Sequence, residues 1–172
     1  TPRTAGFNTV DLTSFSGAGH MILIILMLIG GSPGSTAGGM KTTTVAVLFA
    51  NAMAVFRKKE DAHFFGRRIE NGVVRNASTV LSMYLILFLC GAAVISIVEN
   101  LPIGTCLFET ASAIGTVGLT LGITPQLGLV SRLILITLMF LGRVGGLTLI
   151  YAALSGTNRN LSKLPQEKIT VG

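Results

Sequence analysis

The sequence is short of charge. Only 12% of its 172 residues are Asp, Glu, Lys or Arg, and half are apolar. A water-soluble domain carries about 25% charged residues, so an ordinary soluble fold is excluded. Acid is scarcer than base, with seven Asp and Glu against thirteen Lys and Arg. The two cysteines, Cys90 and Cys106, lack metal-ligand spacing and read as small core side chains. The two histidines, His20 and His63, read as surface or interfacial residues. Ser, His and acidic residues form no catalytic set, so no enzyme is expected.

What is present is apolar sequence in long runs, with a mean hydropathy of +0.72. Residues 76–98 carry no charged side chain, 12–40 carry none, and 133–158 carry only Arg143. About 20 apolar residues are enough to cross a hydrocarbon core of about 30 Å. The expected class is therefore an all-α integral membrane protein. The net charge of +6 is concentrated. Arg57, Lys58, Lys59, Arg67, Arg68 and Arg75 lie between apolar runs, and Arg159, Lys163 and Lys168 lie in the tail. The positive-inside rule puts both regions in the cytoplasm. They read as an orientation signal in contact with the lipid bilayer rather than as a nucleic-acid surface. A multi-pass cell-membrane protein with a cytoplasmic C-terminus is expected. The chain opens at Thr1 without Met and reads as a fragment of a longer protein.

Glycine divides the apolar runs. Phe15 to Ile29 reads as a helix of about 21 Å, too short to span. It stops at GGSPGSTAGGMK, Gly30 to Lys41, and an apolar helix resumes over Thr42 to Phe56. One helix over 16–56 would measure about 60 Å, and five glycines and a proline forbid it. Irregular backbone at membrane depth persists only where it is packed in protein or lines a wet cavity. Beyond the charged connection 57–75, Asn76 to Val98 reads as a spanning helix ended by Glu99-Asn100-Leu101-Pro102. Thr105 to Ile114 reads as a short helix, Gly115 to Gly122 as a Gly/Thr turn, and Leu127 to Leu154 as a second long helix. Residues 76–155 thus form one complete unit, and 1–56 repeat its later part.

The two units share a string of the form Thr-small-Gly-apolar-polar: Thr4-Ala5-Gly6-Phe7-Asn8 and Thr116-Val117-Gly118-Leu119-Thr120. A cation entering a membrane exchanges its waters for protein oxygens, and rings of backbone carbonyls on short Gly-containing loops supply them. Glycine is needed because aiming successive carbonyls one way uses backbone angles closed to other residues. Either string alone reads as a Gly turn. Two matching strings, each ahead of an inner helix, point to potassium coordination by the main chain of Thr4, Ala5, Gly6, Phe7, Thr116, Val117, Gly118 and Leu119.

On these strings the chain resembles the Ktr/Trk/HKT potassium transporters. In that family four fused helix–pore-loop–helix repeats surround one pseudo-fourfold pore, and each repeat gives one filter strand. TAGFNT, Thr4 to Thr9, is similar to the third-repeat string, and SAIGTVGLT, Ser112 to Thr120, to the fourth. The resemblance implies potassium uptake, with residues 1–56 as a partial third repeat, 76–155 as the fourth and 156–172 as a cytoplasmic tail. The family's third inner helix is broken by a gating loop under the filter, which GGSPGSTAGGMKTTT resembles. That implies a gate of Gly30, Gly31, Ser32, Gly34, Ser35, Thr36, Gly38, Gly39 and Lys41. EKITVG at the C-terminus is similar to the end of Ktr-type subunits. Those form homodimers on a cytoplasmic ring of nucleotide-binding regulatory subunits, so a nucleotide is implied on that partner and no cofactor in this chain. A Ser in place of one filter Gly goes with sodium permeation, and the other two repeats lie in the other half of the protein.

Arg143 stands near the middle of the last apolar run, where an Arg costs about 2.5–3.5 kcal/mol on insertion scales. It is expected to face the bundle interior or water. At about 6 Å and an effective dielectric of about 20, it would repel a potassium ion by about 3 kcal/mol. In the family an Arg here resembles a positive plug. Lys41 reads equally as a gating charge or as a side chain snorkelling to the interface. Glu109 is expected to pair with an Arg or to concentrate cations, and Asp11 to concentrate them at the outer mouth. A phosphate-binding loop is excluded at 30–41, because Met40 separates Gly39 from Lys41 and a helix, not a strand, precedes it. The alternatives are a sodium- or proton-coupled secondary transporter with a midplane site at the broken helix, and a non-transporting scaffold. The scarcity of acids at membrane depth weighs against the first, and paired Gly/Thr strings against the second.

Overall fold

Where glycine and proline interrupt the apolar runs, the helices stop. The computed structural model describes residues 4–35, 37–58, 63–64 and 67–144. The first helix, α1 (Gly17–Leu28), is capped by Ser16, whose hydroxyl accepts the Gly19 N–H at 3.3 Å. It starts two residues later than the apolar pattern suggests, because Ser16 takes the capping position. The second, α2 (Thr42–Phe56), has the bounds read from the sequence. Between them Ile29 and Met40 pair as an isolated parallel bridge. The Gly30 N–H donates to the Met40 carbonyl at 2.6 Å, the Met40 N–H to the Leu28 carbonyl at 3.1 Å, and the Thr42 N–H to the Gly31 carbonyl at 3.3 Å. These bonds close the loop at its neck.

The basic connection holds a two-stranded antiparallel hairpin, β1 (His63–Phe64) and β2 (Arg67–Arg68), with His63 opposite Arg68. Then comes α3 (Asn71–Glu99), whose 29 residues rise about 43 Å. It begins at Asn71 rather than Asn76, since Arg75 lies on its exposed first turns. Among the described residues it is the one helix long and apolar enough to cross a membrane, with a mean hydropathy of 2.5 over its best window. Asn100, left-handed at φ 53°, ends it, a conformation Asn tolerates better than most residues.

Pro102 opens α4 (Ile103–Ile114), two residues ahead of the expected start. Its second half, Phe108 to Ile114, is buried throughout, among α1, α3 and α5 (Leu129–Val144). The expected continuation of α5 to Leu154 lies outside the described residues. Glu99 at the end of α3 accepts the Gly128 N–H at 2.8 Å and the Ser131 hydroxyl, so it satisfies the start of α5 from another helix.

Two apolar cores flank α4. One joins α3, α4 and α5 through Tyr84, Ile95, Cys106, Ile114 and Leu138. The other joins α1, α3 and α4 to the Gly118 string through Met27, Phe88, Phe108, Val117 and Leu119. Cys106 is buried as expected, whereas Cys90 lies exposed on α3. The outer faces of the helices are also apolar: Phe56, Ile97 and Leu129 are 82%, 76% and 77% exposed. Such faces suit hydrocarbon rather than water.

Candidate functional site

The two strings adopt matching backbones. Thr4 and Thr116 both stand at φ 52°, and Gly6 and Gly118 at φ 71° and 84°, while Ala5 and Val117 are not left-handed. Glycine reaches the left-handed region freely, but a β-branched Thr there is an outlier that costs about 1–3 kcal/mol. Alternating hands turn like backbone groups of successive residues to one side.

The strings also touch. A Cβ built on Gly6 would stand 2.9 Å from the Val117 carbonyl oxygen and 3.6 Å from the Gly118 Cα, and one on Gly118 would stand 3.6 Å from the Gly6 Cα. Val117 and Leu119 turn into the core while Gly118 and Thr120 are exposed. The match stops at the side chains: Phe7, at the place of buried Leu119, is 92% exposed.

The glycine loop lies against the foot of the second string. The Gly38 N–H donates to the Thr116 hydroxyl at 3.1 Å. A Cβ on Gly38 would overlap that hydroxyl. Gly39, at φ 75°, leaves room for a Cβ only 3.2 Å from the Leu28 carbonyl oxygen and 3.5 Å from the Gly115 Cα. A Cβ on Gly30 would overlap the Gly38 carbonyl. Main chain is therefore packed on main chain, which glycine alone permits here. Gly30, Gly38 and Gly39 form this buried base, while Ser32, Gly34 and Ser35 form an exposed tip beyond half-buried Gly31. Thr36 lies outside the described residues.

Lys41 turns inward on the loop. Its Nζ donates to the Ser35 carbonyl at 3.0 Å and the Ala37 carbonyl at 2.7 Å, tying the tip to the base. Arg143 is exposed in the last described turn of α5. Beside it, Gly142 is pressed so closely on the Ile114 carbonyl that a Cβ would overlap it. The Tyr84 hydroxyl donates to the Gly142 carbonyl at 3.3 Å.

Two acids are held by nearby donors. Glu109 is held by neutral donors: its carboxyl group accepts from the Thr120 and Thr124 hydroxyls and from the Leu121 N–H. No helical or strand period links residues so far apart, so the sequence carried no signal for this clasp. Asp11 caps a short turn at Leu12–Ser14. The Thr13 N–H at 3.0 Å and hydroxyl at 2.8 Å hold its carboxyl below the usual carboxylate range. His20 Nε2 lies 2.8 Å from the Leu12 carbonyl, and its ring meets Phe108 edge-on at 5.7 Å. Among the described residues no group of three or more His, Cys, Asp or Glu is placed to hold a metal.

These features define a mostly helical, membrane-associated protein with one clear apolar span and a backbone-built contact between its two Gly/Thr strings. The profile of the TrkH family, described as "Cation transport protein", matches residues 1–162, and the chain belongs to that family. It is a family of transport proteins rather than of enzymes. The chain is 43% identical to the potassium/sodium uptake protein NtpJ of Enterococcus hirae, over 100% of this chain and 40% of that protein. It is 36% identical to the Ktr system potassium uptake protein B of Bacillus subtilis, over 100% of this chain and 38% of the relative. The protein of the same name from Vibrio alginolyticus is also 36% identical, over 99% of this chain and 37% of its own length. The chain thus spans about two-fifths of these relatives.

Proposed function

We propose that this chain supplies two of the four filter strands of a potassium-uptake pore, together with the loop that throttles it. One observation carries the reading: the two strings repeat a left-handed Thr and a left-handed Gly at matching positions and meet at Gly6 and Gly118. Such a backbone lets main-chain oxygens of Thr4, Ala5, Gly6 and Phe7, and of Thr116, Val117, Gly118 and Leu119, replace water around a dehydrated cation. Residues 1–56 would be a partial third repeat with a broken inner helix, and 76–155 a fourth. The gate would comprise the loop from Gly30 to Lys41 and Arg143. The bond from Gly38 to Thr116 supports it, because a loop held there lies at the foot of the ion path.

The remaining repeats would come from the other half of the protein. As the resemblance to Ktr-type subunits implies, the protein would form a homodimer working with a nucleotide-binding regulatory ring, the nucleotide bound by that partner. Sodium as a second cargo has one specific point in favour, the similarity to the potassium/sodium uptake protein of Enterococcus hirae.

Gly118→Ser in the full-length transporter tests the reading. Gly118 stands at φ 84°, where any side chain is strained, so the string must shift and potassium preference over sodium should fall by about tenfold or more. Uptake of each ion into proteoliposomes measures it. Unchanged preference at equal protein level would refute the filter assignment.

A further inference from the structure

Deepening the filter reading, on which it rests, we infer that Glu109 is a positioning residue for ion selection: it clasps the outer end of the Gly118 string without touching the ion. Glu109 sits mid-way along α4 and is only 4% exposed. A carboxyl group buried this far needs hydrogen-bond donors, and all three of its donors come from one short stretch. Oε1 accepts the Thr120 hydroxyl and the Leu121 N–H at 2.9 Å, and Oε2 accepts the Thr124 hydroxyl at 2.9 Å. The Thr120 and Thr124 hydroxyls lie 2.9 Å apart, and Thr120 also accepts the Gly122 N–H at 2.9 Å. Four donors over residues 120–124 therefore converge on one side chain and one hydroxyl.

Among the described residues that stretch has no sheet partner to fix it. Its backbone would otherwise depend on water for its hydrogen bonds and would be free to slide. The inner end of the string is already held, by the bond from Gly38 to the Thr116 hydroxyl. Glu109 supplies the second anchor, and Gly118 lies between the two. A strand fixed at both ends keeps its oxygens at one spacing, and one spacing favours one size of ion.

Three variants of the full-length transporter separate the clasp from a simple charge effect. Glu109→Asp keeps the acid but withdraws it by one methylene. The double variant Thr120→Val with Thr124→Val keeps the acid but removes two donors. Glu109→Gln keeps length and an acceptor but removes the acid. Potassium and sodium uptake into proteoliposomes is measured at equal protein level, with thermal stability in detergent followed alongside. The clasp predicts that Glu109→Asp and the double variant each lower potassium preference by about tenfold, with Glu109→Gln within about threefold of wild type. A merely structural residue would lower stability and total uptake and leave the ratio alone. Preserved preference in both Glu109→Asp and the double variant overturns the clasp while the filter reading survives. A greater loss in Glu109→Gln than in Glu109→Asp also overturns it, in favour of charge. A wild type without preference between the two ions overturns the filter reading, and the clasp with it.

Discussion

At the scale of single residues, the site is defined by what backbone will tolerate. Gly6, Gly38, Gly39 and Gly142 stand where a Cβ would crowd a carbonyl or a hydroxyl on a neighbouring segment. Arg143 follows the last of these and is the one charged residue in the described part of α5 beyond Arg132. If it throttles cation passage, removing its charge should speed flux. A repulsion of about 3 kcal/mol corresponds to a rate factor of about two decades, which is the ceiling for the gain. Arg143→Ala is therefore expected to raise potassium uptake while preserving preference over sodium. Initial rates of rubidium uptake, normalised to membrane protein, test this. A rate at or below wild type would remove Arg143 from the barrier.

At the scale of elements, the loop between α1 and α2 is tied beyond its neck by Lys41 to its own tip and by Gly38 to Thr116. Lys41→Met keeps the aliphatic stem and removes both bonds from Nζ. The tip around Ser32–Ser35 should then exchange amide hydrogen faster, while the base around Gly38 stays protected. Hydrogen exchange in nanodiscs reads this out, and equal exchange in both proteins would assign Lys41 no stapling role. The break itself was legible, since five glycines and Pro33 cannot continue a helix and α2 runs over the residues predicted. The short helix α4 was legible too, to within two residues at its start. The direction of Lys41 was not, because a lysine beside the bilayer has several carbonyls and headgroups in reach. Nor was the Glu109 clasp, which joins a helix to a coil whose register only the packed fold sets. The start of α3 was misread by five residues, because charge marks a membrane boundary and not a helix end.

At the scale of the whole molecule, the basic connection precedes the start of α3, whereas the turn at Thr124–Gln126 lies near its far end, where Glu99 accepts the Gly128 N–H, about 43 Å of helix away. If the positive-inside rule holds here, the first faces the cytoplasm and the second the outside. In a background with Cys90→Ala and Cys106→Ala, a membrane-impermeant maleimide should label Gln126→Cys in intact cells and Lys58→Cys only after permeabilisation. The reverse pattern would invert the orientation and every assignment of inner and outer ends above. The exposed apolar faces of α1, α3 and α5 fit the same picture, since water would be a poor solvent for them.

Where α5 crosses the end of α4, Gly142 rests directly on the carbonyl of Ile114, with no side chain interposed. A joint of bare backbone has almost no give. Any swing of the last helix, whatever drives it from the cytoplasmic side, would be passed to Gly115 and Thr116 with little loss, and through Thr116 to Gly38. The ion path and its obstruction would thus share one stiff linkage, and a single added methyl at Gly142 would put both out of adjustment together.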